Sequence, residues 1–152
     1  MIAEGKFVEE TAGASPDPVT VIQYAGDEFF TATPPSGHTV RLDVKSGRRA
    51  AAGALEMFVI GVGACTAADV ISILHKKREQ VTDYRVEVRT ERREDHPRAF
   101  VRFHVKHIVR GHGVAAESVQ RAIDLSTNKY CSAAATVRPT AEVITSFEIQ
   151  DA

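Results

Sequence analysis

Hydrophobic and polar positions alternate along this chain in blocks whose period changes, and the changes mark the elements. Strand formers dominate residues 19–24, then 29–33 after the turn signal Gly26-Asp27, then 38–44 after Pro34-Pro35-Ser36-Gly37, which predicts three short strands. A loop at 45–49 leads into an apolar run over 55–74, too long for a strand. Leu55, Val59, Val62, Ile73 and Leu74 share one face of a helix there, and Met57, Phe58, Ile60 and Val70 cover much of the rest. Such a helix must be buried nearly all round. Gly61 and Gly63 each cost about 1 kcal/mol of helix propensity, so either another backbone comes close at this point or the helix bends. The charged run 75–79 ends the helix.

Period two then takes over. Tyr84, Val86 and Val88 alternate with Arg85, Glu87 and Arg89, and after Asp95-His96-Pro97 the residues Val101, Phe103 and Val105 alternate with Arg102, His104 and Lys106. The pair reads as an antiparallel hairpin with one wet face. Gly111-His112-Gly113 breaks it, and helical spacing returns over 114–126. A small-residue turn at 132–136 and a strand over 141–149 close the chain, while residues 1–18, rich in proline and small side chains, read as a flexible arm before a single domain over 19–152. Strands grouped with a few helices predict an α+β fold with antiparallel sheets covered on one face. The all-round apolar helix needs more cover than one such layer gives, and a second subunit would supply it.

Composition narrows the function classes. A chain of 152 residues and 16.5 kDa with 43% hydrophobic side chains is long enough for one substantial core. With 19 Lys and Arg against 20 Asp and Glu, the net charge of -1 offers a nucleic acid no global attraction, and only short basic clusters occur. The uncharged stretch 57–68 is bounded by Glu56 and Asp69, short of the roughly 20 residues of a membrane span, so no membrane partner is expected. Two cysteines are too few for a disulfide scaffold and no basic and apolar leader stands at the start, which points to a reducing cytoplasm.

The candidate chemistry is confined to thiols. His104 and His107 fall on opposite faces of a strand and the other histidines are dispersed, so no metal site is expected, and Gly61-Val62-Gly63 lacks the third glycine of a dinucleotide loop, so no cofactor is. Cys65 and Cys131 are open to two readings: small buried hydrophobes, or an attacking and a resolving thiol brought together by the fold. Glu56 either complements the helix dipole or orients an arginine that activates a cysteine, for which Arg41, Arg48 and Arg49 are near in sequence.

The run Glu56-Met57-Phe58-Val59-Ile60-Gly61-Val62-Gly63-Ala64-Cys65-Thr66-Ala67-Ala68-Asp69-Val70 resembles the OsmC/Ohr family of osmotically induced and organic hydroperoxide resistance proteins. A second match runs from Ala122-Ile123-Asp124-Leu125-Ser126 through Lys129-Tyr130-Cys131-Ser132, in the right order and at the right distance, with Pro35-Ser36-Gly37-His38 and Asp43 as weaker echoes. The likeness covers roughly residues 20–150 and is greater to the OsmC-like branch; it departs at Ala54 and Leu55, where the family usually has a proline. The resemblance implies an intertwined homodimer with two long central helices and thiol-dependent reduction of organic hydroperoxides. In that scheme Cys65 becomes a sulfenic acid, Cys131 resolves it as a disulfide, and an external dithiol restores the pair. Glu56 would hold the activating arginine, with Arg49 as the candidate. A small-molecule-binding module and a redox sensor without turnover are the alternative functions.

Overall fold

The computed structural model describes residues 18–152, and the arm expected at 1–18 lies, but for Pro18, outside the described residues. The chain forms two compact units that divide between Ala54 and Leu55.

The N-terminal unit is an antiparallel meander of β1 (Val21–Tyr24), β2 (Phe29–Thr33) and β3 (Val40–Asp43), in the order β1-β2-β3. Its first turn needs positive φ at Gly26, Asp27 and Glu28, which explains the turn signal in the sequence. After β3, the Asp43 carboxylate accepts hydrogen bonds from the backbone N–H of Ser46 at 3.0 Å and of Ala50 at 2.9 Å, shaping the loop that carries Arg48 and Arg49. These bonds and the Ser46 hydroxyl hold the Asp43 carboxyl below the usual carboxylate range.

The C-terminal unit opens with the 23-residue helix α1 (Ala54–Lys76). By length and composition alone α1 could cross a membrane; here Val62, Val70 and Leu74 pack it onto a sheet. That sheet has the order β4-β5-β6, from β4 (Gln80–Arg92), β5 (Phe100–His112) and β6 (Glu142–Asp151). β4 and β5 form the expected hairpin. β6 joins β5 in parallel, because the chain between them crosses over through α2 (Ala116–Leu125) and α3 (Ser132–Val137) rather than a tight turn. The architecture is α+β with mostly antiparallel sheets, as the residue pattern predicts.

The inner face of β5 carries Phe103, Val105, His107 and Val109, all at most 2% exposed, against the helices. Val119, Ala122 and Ile123 of α2 and Val137 of α3 complete this core. On the outer face Arg102 bridges Glu91 and Glu142, and Lys106 pairs with Glu148, so these cations of the hairpin are matched by carboxylates on neighbouring strands. Such exposed pairs contribute little to stability.

The two helix glycines have different reasons. A Cβ on Gly63 would meet the Val88 side chain at 3.0 Å, so α1 lies close on β4 there. A Cβ on Gly61 would meet no other part of the described residues within 4 Å beyond its own helix, and Gly61 shares an exposed face of α1 with Phe58, Ala64 and Ala68.

Candidate functional site

Cys65 sits mid-way along α1, half-buried, between the exposed Ala64 and the buried Thr66. Cys131 comes to it through a feature absent from the sequence reading. The helix expected over 114–126 gives way after Leu125 to a single π-turn over 126–130, closed by the bond from Cys131 N–H to the Ser126 carbonyl at 2.8 Å. A π-turn adds a residue to the helical circuit, and such turns recur at functional sites. The turn expected at 132–136 is instead the short helix α3, for two reasons. Alanines favour helix, and the Cys131 sulfur acts as its cap, accepting from Ala134 N–H at 3.3 Å.

The two cysteines, both free and 66 positions apart in sequence, are brought close enough for Cys65 to act on the Cys131 thiol. Cys131 is only 3% exposed. Burial, joined by the nearby Cys65 thiol, pushes its thiol up to about 11, so at neutral pH it keeps its proton. The site therefore pairs a partly exposed cysteine with a buried, protonated one.

Beside the thiols runs a buried polar chain that the sequence reading did not single out. Thr66 Oγ1 and Ser126 Oγ are 3.0 Å apart, and the Ser126 hydroxyl donates to Asp69 Oδ2 at 3.0 Å. A signal was present: Thr66 and Asp69, three residues apart on an otherwise apolar helix, demand a polar partner.

The other expected site residues are Glu56 and Arg49. Glu56 is exposed in the first turn of α1; nine residues at 1.5 Å rise place it about 13 Å along the axis from Cys65, too far for direct contact. Arg49 is exposed in the N-terminal unit with φ of 53°. Within that unit Arg41 lies over the Phe29 ring at 3.9 Å, while Arg48 pairs with Asp27 and faces the same ring. Among the described residues no cluster of three His, Cys, Asp or Glu is placed to hold a metal.

Two further features belong to the C-terminal unit. His107, fully buried on β5, faces inward and His104 outward; its Nδ1 lies 2.7 Å from the Tyr84 hydroxyl. At the end of α1 nearer Glu56, an apolar groove of about 250 Å³ is lined by Leu55, Phe58, Phe100, Phe103, Val137 and Ala141, with the Phe58 and Phe100 rings stacked at 5.6 Å.

Comparison with known proteins gives the same fold and family. The sequence model of OsmC-like proteins matches residues 47–146. Protein YhfA of Escherichia coli is 40% identical over 114 residues, which cover 75% of this chain and 84% of that protein. The structure of a hypothetical protein from Aquifex aeolicus superposes with a TM-score of 0.80 at 25% identity, covering 91% of this chain and 99% of the other. The organic hydroperoxide resistance protein OhrB of Bacillus subtilis shares the fold alone, with a TM-score of 0.60 at 14% identity over 87% of this chain and 98% of its own. With its two cysteine motifs in one site and the family pattern spanning both, the chain belongs to the OsmC-like family.

Proposed function

We propose that the protein is a thiol-dependent peroxidase for organic hydroperoxides. The observation that carries this reading is the neighbouring pair of free cysteines, one partly exposed and one buried. Cys65 attacks the terminal oxygen of the hydroperoxide; the O–O bond breaks, the alcohol leaves, and Cys65 becomes a sulfenic acid. The Cys131 sulfur then forms the S–S bond as water departs. An external dithiol returns both cysteines to thiols, a cycle suited to a reducing cytoplasm. Cys131 is poorly placed to be the first attacker, since a protonated, buried thiol is a weak nucleophile. Glu56 and Arg49 enter the proposal as the carboxylate and arginine that the family resemblance assigns to thiol activation, and Arg49→Ala is expected to slow the first oxidation alone.

The test is intact-mass measurement after one equivalent of cumene hydroperoxide. Loss of two hydrogens is expected, and an unchanged mass would reject the peroxidase. In that event the aromatic groove supports the other reading, a module that binds an apolar small molecule.

A homodimer is part of the proposal. The exposed face of α1 carries Leu55, Phe58, Ile60, Gly61, Ala64 and Ala68, apolar or small throughout apart from Glu56 in the first turn, and soluble monomers rarely leave so apolar a patch open. Light scattering should report about twice the 16.5 kDa chain mass. Gly61→Arg should yield a folded monomer: the open space accepts the side chain, helix propensity improves by up to about 1 kcal/mol, and a charge enters the apolar face. A Gly61→Arg protein that remains dimeric would remove α1 from the interface.

A further inference from the structure

Ser126, fully buried, is bonded to the segments that carry both cysteines. Its hydroxyl donates to the Asp69 carboxylate, which can only accept; its remaining capacity therefore takes the proton of Thr66 Oγ1, and the chain runs Thr66 to Ser126 to Asp69. Thr66 directly follows Cys65 and Asp69 stands one turn beyond it, so the hydroxyl is tied to the helical turn that carries Cys65. Through its carbonyl the same residue accepts the Cys131 N–H across the π-turn. Side chain and main chain of Ser126 thus link the two sulfur-bearing segments with no intervening residue.

We propose that Ser126 is a positioning residue for the thiol pair, holding the π-turn on α1 at the spacing from which Cys131 reaches the oxidised Cys65. The inference rests on the reading of the cysteines as attacking and resolving thiols. The step concerned is balanced: Cys131 gives up its thiol proton, its sulfur bonds to the Cys65 sulfur, and the sulfenic hydroxyl leaves with that proton as water. The first oxidation does not involve Ser126. Without the hydroxyl link the π-turn is free to shift against α1, and a displacement of about 1 Å is enough to cost a reaction up to about 100-fold.

The experiment measures disulfide closure by rapid quenching with an alkylating agent, once with cumene hydroperoxide and once with diamide. Diamide oxidises thiol pairs without peroxide chemistry, so a parent that closes with diamide alone loses the peroxidase reading and leaves the positioning one under test. Ser126→Ala should close about tenfold or more slowly with either oxidant, and dimedone should trap more of its Cys65 sulfenic acid, while hydroperoxide is consumed in the first step at the parental rate. Thr66→Val, nearly the same shape without the hydroxyl, should shift closure in the same direction. Asp69→Asn retains an acceptor for Ser126 and should close near the parental rate, whereas Asp69→Leu should not. Val119→Ala, which opens a hole in the α2 core away from both cysteines, should lower the melting temperature and leave closure unchanged. Parental closure in Ser126→Ala would overturn the proposal, as would equal slowing in Val119→Ala. If Ser126→Ala does not fold, Thr66→Val decides, and its closure at the parental rate would overturn the proposal. A parent that forms no disulfide with either oxidant overturns both readings.

Discussion

Replacing Cys65 with Ser is expected to reduce hydroperoxide consumption to the uncatalysed background, because a serine hydroxyl at neutral pH is a far weaker nucleophile than a cysteine sulfur. Cys131→Ser should behave differently. The partly exposed Cys65 remains, so that variant consumes about one equivalent of peroxide and stops at a sulfenic acid that dimedone captures. With no neighbouring thiol to resolve it, further peroxide carries it to sulfinic acid. The asymmetry follows from burial: Cys131 is 3% exposed and protonated at neutral pH, so it is suited to meeting a sulfur already beside it and not a peroxide arriving from solvent. Peroxide assays on the two variants, with mass analysis after dimedone, separate the roles. Capture of dimedone by Cys65→Ser in place of Cys131→Ser would reverse them, and full consumption by both would end the thiol mechanism.

The second large effect concerns stability. His107 is buried in the middle of the sheet, and burial pulls its pKa from the ordinary 6.5 to about 4. The folded protein therefore holds the imidazole neutral over a range in which the unfolded chain protonates it. Above pH 6.5 neither state carries the proton and nothing is lost; as pH falls from 6.5 through 4 the unfolded state gains protons and stability declines. The full loss is on the order of 3 kcal/mol, a sizeable share of the roughly 5–15 kcal/mol that holds a domain folded. Urea unfolding at several pH values should show this slope in the parent. The paired change Tyr84→Phe with His107→Leu removes the titrating ring together with its hydroxyl partner and leaves no buried polar atom behind, so its slope should be shallower by that amount. Identical slopes in parent and double variant would show that His107 does not titrate in this window.

Much of the fold was legible in the sequence because burial on one face of an element leaves a period. The alternation from Tyr84 to Glu91 and from Val101 to Lys106 predicted the hairpin and placed His104 and His107 on opposite faces, as observed. The apolar run 55–74 predicted α1 to within two residues at each end, and the cysteine motifs pointed to the family. Strand ends were less visible: β5 continues to His112 because pairing with β4 and β6 carries the ladder through residues with no apolar alternation.

Local pattern therefore determined which of the longer segments are helix or strand, which faces turn inward, and that two thiols are the candidate chemistry. Tertiary structure decided the rest, since each remaining feature depends on groups distant in sequence. The parallel seating of β6 depends on the crossover through α2 and α3. The π-turn and the α3 cap depend on where Cys131 must lie, and residue types alone suggested a plain turn there. The contact of Cys65 with Cys131 spans 66 positions and the Thr66, Ser126 and Asp69 chain nearly as many, distances across which no periodicity carries information. Burial sets the protonation of Cys131 and His107, and burial is a property of the packed molecule: the same side chains in an open chain would titrate at their ordinary values.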